Sequence, residues 1–161
     1  MEIITVATTT ADERFQYDAI VVPSGRKPKR LIDLAGDMNS YLEKENGWNN
    51  YNQWPPVTRL GPGRWGTDIN VSRIAKALIH CSKDSSIEEI AEAIHAGWTD
   101  CFNYWYTHKP WTWDSKLYFP PGKDLTTRAK IERATLRFDE LDEYQKKMCR
   151  QMASFVKNEC M

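Results

Sequence analysis

The stretch SSIEEIAEAIHAGWTDCFNYWY, residues 85–106, has the strongest helical periodicity in this chain of 161 residues. Ser85 and Ser86 each have a glutamate three residues later, which is the spacing of a capping box, so a helix is predicted to begin here in either register. Lys109-Pro110 is predicted to end it. Its apolar side chains form one continuous stripe, made of Ile87, Ile90, Ala91, Ile94, Trp98, Cys101 and Trp105.

Three other segments combine the same periodicity with a start or stop signal, and a fourth, residues 126–138, is a helix candidate of uncertain extent. The three predicted helices are residues 29–47, ending at Gly47, residues 70–81, capped by Asn70 or Asp68, and residues 139–159, capped by Asp139. Their predicted inward-facing residues are Leu31, Leu34, Ala35, Met38 and Leu42, then Val71, Ile74, Ala75, Leu78 and Ile79, then Leu141, Tyr144, Met148, Met152 and Phe155.

The N-terminal region has a different pattern. Residues 2–9 and 19–22 are short and rich in β-branched side chains, which favours strands, and Pro23-Ser24-Gly25 is predicted to end them. We therefore expect a mostly α, α+β fold in one domain, residues 1–161, with a small N-terminal β element packed on a bundle of about five helices. Residues 1–67 would hold the β element, the first helix and a loop rich in Trp, Pro and Gly, and residues 68–161 the helical part.

Composition excludes several classes of protein. The 22 basic and 22 acidic side chains cancel, so a nucleic-acid partner is not expected. No apolar run approaches the length of a membrane span, and the N-terminus has no secretory pattern. The four cysteines follow no metal-binding spacing. We expect a cytoplasmic protein with free thiols, no metal, no cofactor and no membrane partner.

Two segments offer possible phosphate contacts. Residues 61–66, GPGRWG, match G-x-G-x-x-G, but no strand precedes them and the next helix is followed by another helix, so a structured loop presenting Arg64 and Trp65 is favoured over a dinucleotide site. Four cations, Arg26, Lys27, Lys29 and Arg30, precede the first helix, whose N-terminus itself favours an anion. This second segment is either a phosphate site or a solvated basic loop.

The aromatic residues near the end of the 85–106 helix are predicted to line a binding site. His95 lies at the border of the apolar stripe, where it is either a satisfied packing residue or a hydrogen-bonding element of a small-molecule pocket. Two long loops, residues 48–67 and 103–124, are expected to meet over this end of the helix. Beyond Lys109-Pro110, Trp111 and Trp113 alternate about Thr112, so their rings point the same way if the segment is extended.

No catalytic constellation is visible. The chain lacks the G-x-S-x-G, H-E-x-x-H and P-loop patterns, and its carboxylates are explained by helix starts and polar faces. A non-enzymatic protein is therefore expected, and an enzyme acting on a nucleotide is the third alternative.

Two separated stretches resemble a known family. Ile90-Ala91, Ile94-His95 and Trp98 are similar to the first-helix signature of ryanodine-receptor repeat (RyR) domains, and Phe138-Asp139-Glu140-Leu141 followed by Lys146 is similar to the start of their second helix, with Gln151-Met152-Ala153 as its continuation. Arg137 stands where the family usually has a proline, and Asn103-Tyr104-Trp105-Tyr106 replaces a Gly-Trp-x-Tyr-Gly segment. The resemblance covers about residues 85–158.

This resemblance implies a cytosolic module. Standalone members occur in bacteria and tailed phages, where the family is associated with nucleotide-derived signals in conflict systems. The leading hypothesis is therefore binding of a nucleotide-like small molecule, by a phage-encoded oligomeric sponge that counters host defence, and the alternative is a module that docks a host protein through exposed Trp and Met side chains. The predicted contacts are Trp98, Trp105, Trp111 or Trp113 on the base, His95 or Tyr104 on its edge, Arg64 with Trp65 from the loop, and Arg26, Lys27 and Arg30 on phosphate.

Overall fold

The computed structural model describes residues 2–5, 19–23, 25–47, 64–108 and 136–161. These residues form a mostly helical structure with a small antiparallel sheet at the N-terminus, as the sequence predicted. Of the predicted helix at 126–138, residues 126–135 lie outside the described part of the chain, as do the loop residues 48–63 and 109–124, and the described residues 136–138 are not α-helical. The four α-helices are α1 (Leu31–Asn46), α2 (Arg64–His80), α3 (Ile87–His108) and α4 (Glu143–Cys160), and a 3-10 turn, Phe138–Glu140, precedes α4.

The sheet has three short antiparallel strands in sequence order, β1 (Glu2–Thr5), β2 (Ala19–Val22) and β3 (Lys29–Arg30). Ala19 and Val21 of β2 are completely buried, and they belong to the same core as α1, so the β element packs on the helices as expected. The turn between β2 and β3 contains Gly25 at a φ of 70°, a left-handed conformation that favours glycine. Assigning Lys29 and Arg30 to the first helix was wrong, because both pair with β2.

Neighbouring helices in sequence run antiparallel. The hydroxyl of Ser72, near the middle of α2, donates to the carbonyl of Gly97 on α3, with an oxygen–oxygen distance of 2.7 Å. Cys81, at the end of α2, instead lies near the start of α3, where its sulfur is 3.7 Å from the Glu89 carbonyl oxygen. Because later residues of α2 meet earlier residues of α3, the two helices form an antiparallel hairpin.

Helix α4 runs antiparallel to both α3 and α1. The Lys157 ammonium donates to the Ser85 carbonyl just before α3, with a nitrogen–oxygen distance of 2.7 Å, whereas Leu136, which precedes α4, contacts His95 further along α3. On the other side, the Asn46 amide donates to Gln151 at 2.8 Å, and the Tyr41 and Phe155 rings pack with centroids 5.7 Å apart. The four helices therefore alternate up and down around one core.

This alternation defines two ends of the bundle. The sheet end contains the beginnings of α1 and α3 and the ends of α2 and α4, because Arg26 in the β2–β3 turn pairs with Glu159 near the end of α4. The aromatic end contains the beginnings of α2 and α4 and the ends of α1 and α3. These two names are used below.

Most predicted core positions are confirmed. All five predicted positions of α1 are buried, as are four of the five predicted in α2 and the central stripe of α3 from Ile90 to Ile94. Two predictions were wrong: Ile79 is 66% exposed and Tyr144 is 59% exposed. Ile79 lies in the last turn of α2 and Tyr144 in the first turn of α4, and no helix of the described part of the chain covers either side chain.

Helix boundaries follow local capping. Ser86 caps α3, since its hydroxyl accepts from the Glu89 amide at 3.1 Å, and Gly47 ends α1 at a φ of 64° as predicted. Helix α2 begins at Arg64, six residues before the predicted start, so Asn70 and Asp68 do not cap it. The prediction that Asp139 caps the last helix was also wrong, because Asp139 lies in the 3-10 turn and Asp142 caps α4.

Replacing Asp142 by alanine is expected to lower the free energy of unfolding by about 1 kcal/mol, because its carboxylate accepts from the Gln145 amide at 2.8 Å. Urea denaturation followed by circular dichroism measures the change. Asp139→Ala is the matched control, with an expected change under about 0.5 kcal/mol, since Asp139 is exposed and makes only a surface ion pair with Arg137. Equal effects of the two substitutions would contradict the cap assignment.

All four cysteines are free thiols, and burial raises the pKa of Cys160 to about 12. None of the four helices described above combines the length with the apolar composition that a membrane crossing requires.

Candidate functional site

The backbones of α2 and α3 come into close contact at Gly97. A side-chain carbon placed on Gly97 would lie 2.6 Å from the Ser72 carbonyl oxygen and 2.7 Å from the Arg73 α-carbon. Only a residue without a side chain lets the two backbones meet at this distance. This contact determines which side chains of the two helices become neighbours.

Arg73 emerges from α2 at this contact. Its Nη1 donates to the Asn70 side-chain oxygen at 3.3 Å, and its Nε is buried. Burial lowers the pKa of His95 on α3 and raises that of Cys149 on α4, and the positive charge of Arg73 acts to lower both pKa values. Arg73 is partly buried, and its charge acts on groups of two neighbouring helices.

His95 is only 6% exposed and makes a specific interaction. Its Nε2 lies 2.7 Å from the carbonyl oxygen of Leu136, which can only accept, so Nε2 carries the proton. Burial lowers the pKa of His95, and the charge of Arg73 acts in the same direction. The neutral ring then has an unprotonated Nδ1, which can accept a hydrogen bond.

Trp98 lies one helical turn beyond His95. The two rings are stacked, with centroids 5.9 Å apart and an angle of 22° between their planes. Trp98 is partly buried and packs against the core. We call Asn70, Arg73, His95 and Trp98 the α2–α3 polar cluster.

The structure brings several predicted residues to one end. Arg64 and Trp65 lie in the first turn of α2, and Tyr104 and Trp105 lie near the end of α3. Because α2 and α3 are antiparallel, these four backbone positions share the aromatic end, adjoining the α2–α3 polar cluster. Arg64 and Trp65 belong to a helix, so the prediction that a loop presents them was wrong. Trp111 and Trp113 lie outside the described residues.

The predicted phosphate residues lie elsewhere. Arg26 is paired with Glu159, Lys29 with Asp37 at 2.8 Å and Arg30 with Asp33 at 3.1 Å. Lys27 makes no ion pair with a residue in the described part of the chain. An anion binding here would have to displace carboxylates from three of the four cations. The alternative of a solvated basic segment agrees better with these contacts.

The two halves of the predicted site are also far apart. Arg30 precedes α1 at the sheet end, whereas Arg64 begins α2 at the aromatic end. The 16 residues of α1 span about 24 Å between these ends, at a rise of 1.5 Å per residue. The prediction that Arg64 acts together with Arg26 or Lys27 on one phosphate is therefore contradicted by the helix arrangement.

Arg73 was missed at the level of sequence. Apolar periodicity identified the buried face of residues 70–81, and an arginine outside that face is predicted to lie on the surface. The Asn70–Arg73 spacing of three residues, which places both on one side of a helix, was the available signal. Its meaning depends on the approach of α3, which the spacing does not reveal.

The contacts also join the two stretches that resemble RyR domains. His95 belongs to the first stretch, and its acceptor Leu136 lies two residues before the second, whose Phe138 is buried. No protein-family model matches the chain, and comparison with curated proteins and with solved structures finds no relative. The family assignment therefore stays a prediction.

Proposed function

We propose that the protein binds a nucleotide or a nucleotide-derived small molecule, without chemically changing it, at the α2–α3 polar cluster. The observation that carries this proposal is the Trp98 ring stacked beside a neutral His95. Trp and His are side chains that nucleotide sites use, because a base stacks on an aromatic ring and a neutral imidazole accepts from an N–H group on the edge of a base. Both groups are needed to recognise a base rather than any apolar molecule.

The neighbouring elements extend this proposal. The aromatic end also holds the backbone positions of Arg64, Trp65, Tyr104 and Trp105, and the RyR resemblance implies the same class of ligand. Trp111 and Trp113 remain predicted contacts of this site. A virus-encoded, oligomeric sponge acting in the host cytoplasm is the biological role that we propose for such binding.

Truncation of Trp98 tests the proposal. Isothermal titration calorimetry against adenine and guanine mono-, di- and cyclic nucleotides is expected to show binding. In Trp98→Ala the affinity should fall by about 5- to 150-fold, which corresponds to the 1–3 kcal/mol of a base stacked on an aromatic ring. Tyr144→Ala is the matched control, because that ring is exposed and does not belong to the cluster.

The proposal would be contradicted if no nucleotide gave binding heat while circular dichroism showed that the helical content of the protein was intact. An absorbance excess near 260 nm in the purified protein would support it independently. Turnover of a nucleotide would instead favour the enzyme alternative.

A docking module for a host protein is the second candidate, and the structure gives it less support. Ile79 and Tyr144 are the exposed large apolar side chains of the described residues, and they lie at opposite ends of the bundle. They therefore do not form one continuous apolar surface. A stoichiometric host protein that survives high salt in a pull-down, with no bound nucleotide, would favour this second candidate.

A further inference from the structure

We infer that Asn46 is a deamidation site whose reaction is held back by the contact between α1 and α4, and that its conversion to aspartate loosens this contact. The inference does not depend on the proposed function. It starts from the sequence, where Asn46-Gly47 is the single Asn-Gly pair among the 161 residues. The modification consumes only water and places a new negative charge at the last residue of α1.

The chemistry of the Asn-Gly pair makes it reactive. The backbone nitrogen of Gly47, after losing its proton to hydroxide, bonds to the side-chain carbonyl carbon of Asn46. The bond from that carbon to Nδ2 breaks, ammonia leaves with a proton taken from water, and a cyclic imide remains. Water then opens the imide at either carbonyl, which gives aspartate or isoaspartate. Glycine permits the attack most readily because it has no side chain to hinder its nitrogen.

The folded protein restrains both reacting groups. The Asn46 side-chain nitrogen donates to the Leu42 carbonyl within α1 and to the Gln151 side-chain oxygen on α4, each at 2.8 Å. The Gly47 nitrogen, which must lose its proton before it can attack, donates to the Lys44 carbonyl at 3.3 Å. Because Gly47 is exposed, water and hydroxide reach the pair. The reaction is therefore limited by the opening of these hydrogen bonds and not by access of solvent.

Aspartate cannot make the hydrogen bonds that Asn46 makes. An ionised carboxylate only accepts, and its two partners would be the Leu42 carbonyl and the Gln151 side-chain oxygen, which accept as well. The amide of Gln151 can turn to donate, but the Leu42 carbonyl cannot. The new charge also lies at a helix C-terminus, where the helix dipole disfavours an anion. Deamidation therefore opposes the docking of α1 on α4.

Peptide mapping by mass spectrometry tests whether the fold controls the reaction. The protein is incubated at mildly alkaline pH, in buffer and in urea, and the deamidated fraction of the peptide that contains Asn46 is followed over time. In urea this peptide should react faster than the other asparagine-containing peptides. In buffer its rate should be lower by about 5- to 150-fold, the factor that two hydrogen bonds contribute to an opening equilibrium.

Two substitutions of Gln151 isolate the contact with α4. Gln151→Ala removes the acceptor and should raise the rate in buffer by about 2- to 12-fold, as expected for one hydrogen bond. Gln151→Glu keeps an acceptor there and is the matched control, so its rate should stay close to that of the unmodified protein. Each rate in buffer is divided by the rate of the same variant in urea, which removes any effect on the chemistry itself.

Direct substitution tests the effect of the new charge. Asn46→Asp should lower the melting temperature at neutral pH by about 4 to 8 °C, because it sets acceptors against each other at the α1–α4 contact. Asn46→Ala removes the same hydrogen bonds without adding a charge, so it should lower the melting temperature less. Thermal denaturation followed by circular dichroism measures both shifts.

Any of four results would overturn the inference. If Asn46 stays intact in urea, it is not a deamidation site. If it reacts equally fast in buffer and in urea, the fold does not restrain it. If Gln151→Ala and Gln151→Glu react at the same rate in buffer, the restraint does not come from α4. If Asn46→Asp is as stable as the unmodified protein, deamidation does not loosen the contact.

Discussion

Gly97→Ala is expected to lower the free energy of unfolding by about 2 to 4 kcal/mol, the largest single effect we predict for a methyl group in this protein. The added carbon would lie 2.6 Å from the Ser72 carbonyl oxygen and 2.9 Å from its carbonyl carbon. Both are backbone atoms, so α2 as a whole has to move. The hydrogen bond from the Ser72 hydroxyl to the Gly97 carbonyl would be strained at the same time.

The sign of the change in stability distinguishes a close contact at Gly97 from open space. In a helix with open space at this position, alanine would stabilise by about 1 kcal/mol relative to glycine. Urea denaturation of Gly97→Ala and of the unmodified protein therefore shows whether alanine lowers or raises the free energy of unfolding. Glu92→Ala, an exposed substitution on the same helix, is the control and should change stability by less than about 0.5 kcal/mol. A stabilised Gly97→Ala would show that α2 and α3 are not in contact there.

Acid is expected to destabilise the protein through His95. Burial lowers the pKa of His95 in the folded state, so between that pKa and the unfolded value of 6.5 the unfolded chain binds more protons. Stability is therefore fully present above about pH 6.5 and falls as the pH decreases through this window. The slope from this one site reaches at most about 1.4 kcal/mol per pH unit.

Among the described residues, the charged side chain that acts on His95 is Arg73 on α2, and it opposes a second positive charge there. The difference in stability between the unmodified protein and His95→Gln, measured by urea denaturation from pH 5 to pH 7.5, isolates the contribution. His80→Gln is the control because His80 is exposed at the end of α2. Parallel curves for the unmodified protein and His95→Gln would contradict the assignment.

The sequence was sufficient to predict the main helices because their apolar stripes are long and regular. The inward face of α1, from Leu31 to Leu42, needed no tertiary information. The wrong predictions of burial concern residues at the ends of helices. Ile79 and Tyr144 continue the stripes of their helices but lie in terminal turns, where no other described element covers the side chain.

The start of α2 shows a different limit. Gly61, Pro62 and Gly66 resemble a loop, yet the chain is helical from Arg64 onward. Helix propensity is a weak signal that tertiary context often overrides, so the local sequence did not show where this helix begins.

The candidate site was only partly predictable for the same reason. His95 and Trp98 share a helix, so their spacing shows that they are neighbours. The carboxylate that neutralises Arg26, and so argues against a phosphate site there, lies far away in the sequence, because Arg26 and Glu159 are 133 residues apart. The sequence did not identify Arg73 because its place in the cluster depends on the contact between α2 and α3 at Gly97.

The antiparallel arrangement of the helices also has a consequence for folding kinetics. The α2–α3 hairpin closes through the short connection at residues 81–86, so its contacts require little loop-closure entropy. The contact between Asn46 and Gln151 joins residues 105 positions apart and can form only after the intervening chain is ordered or closed into a large loop. We therefore expect the hairpin that carries the α2–α3 polar cluster to form early, and docking of α1 against α4 to limit the folding rate.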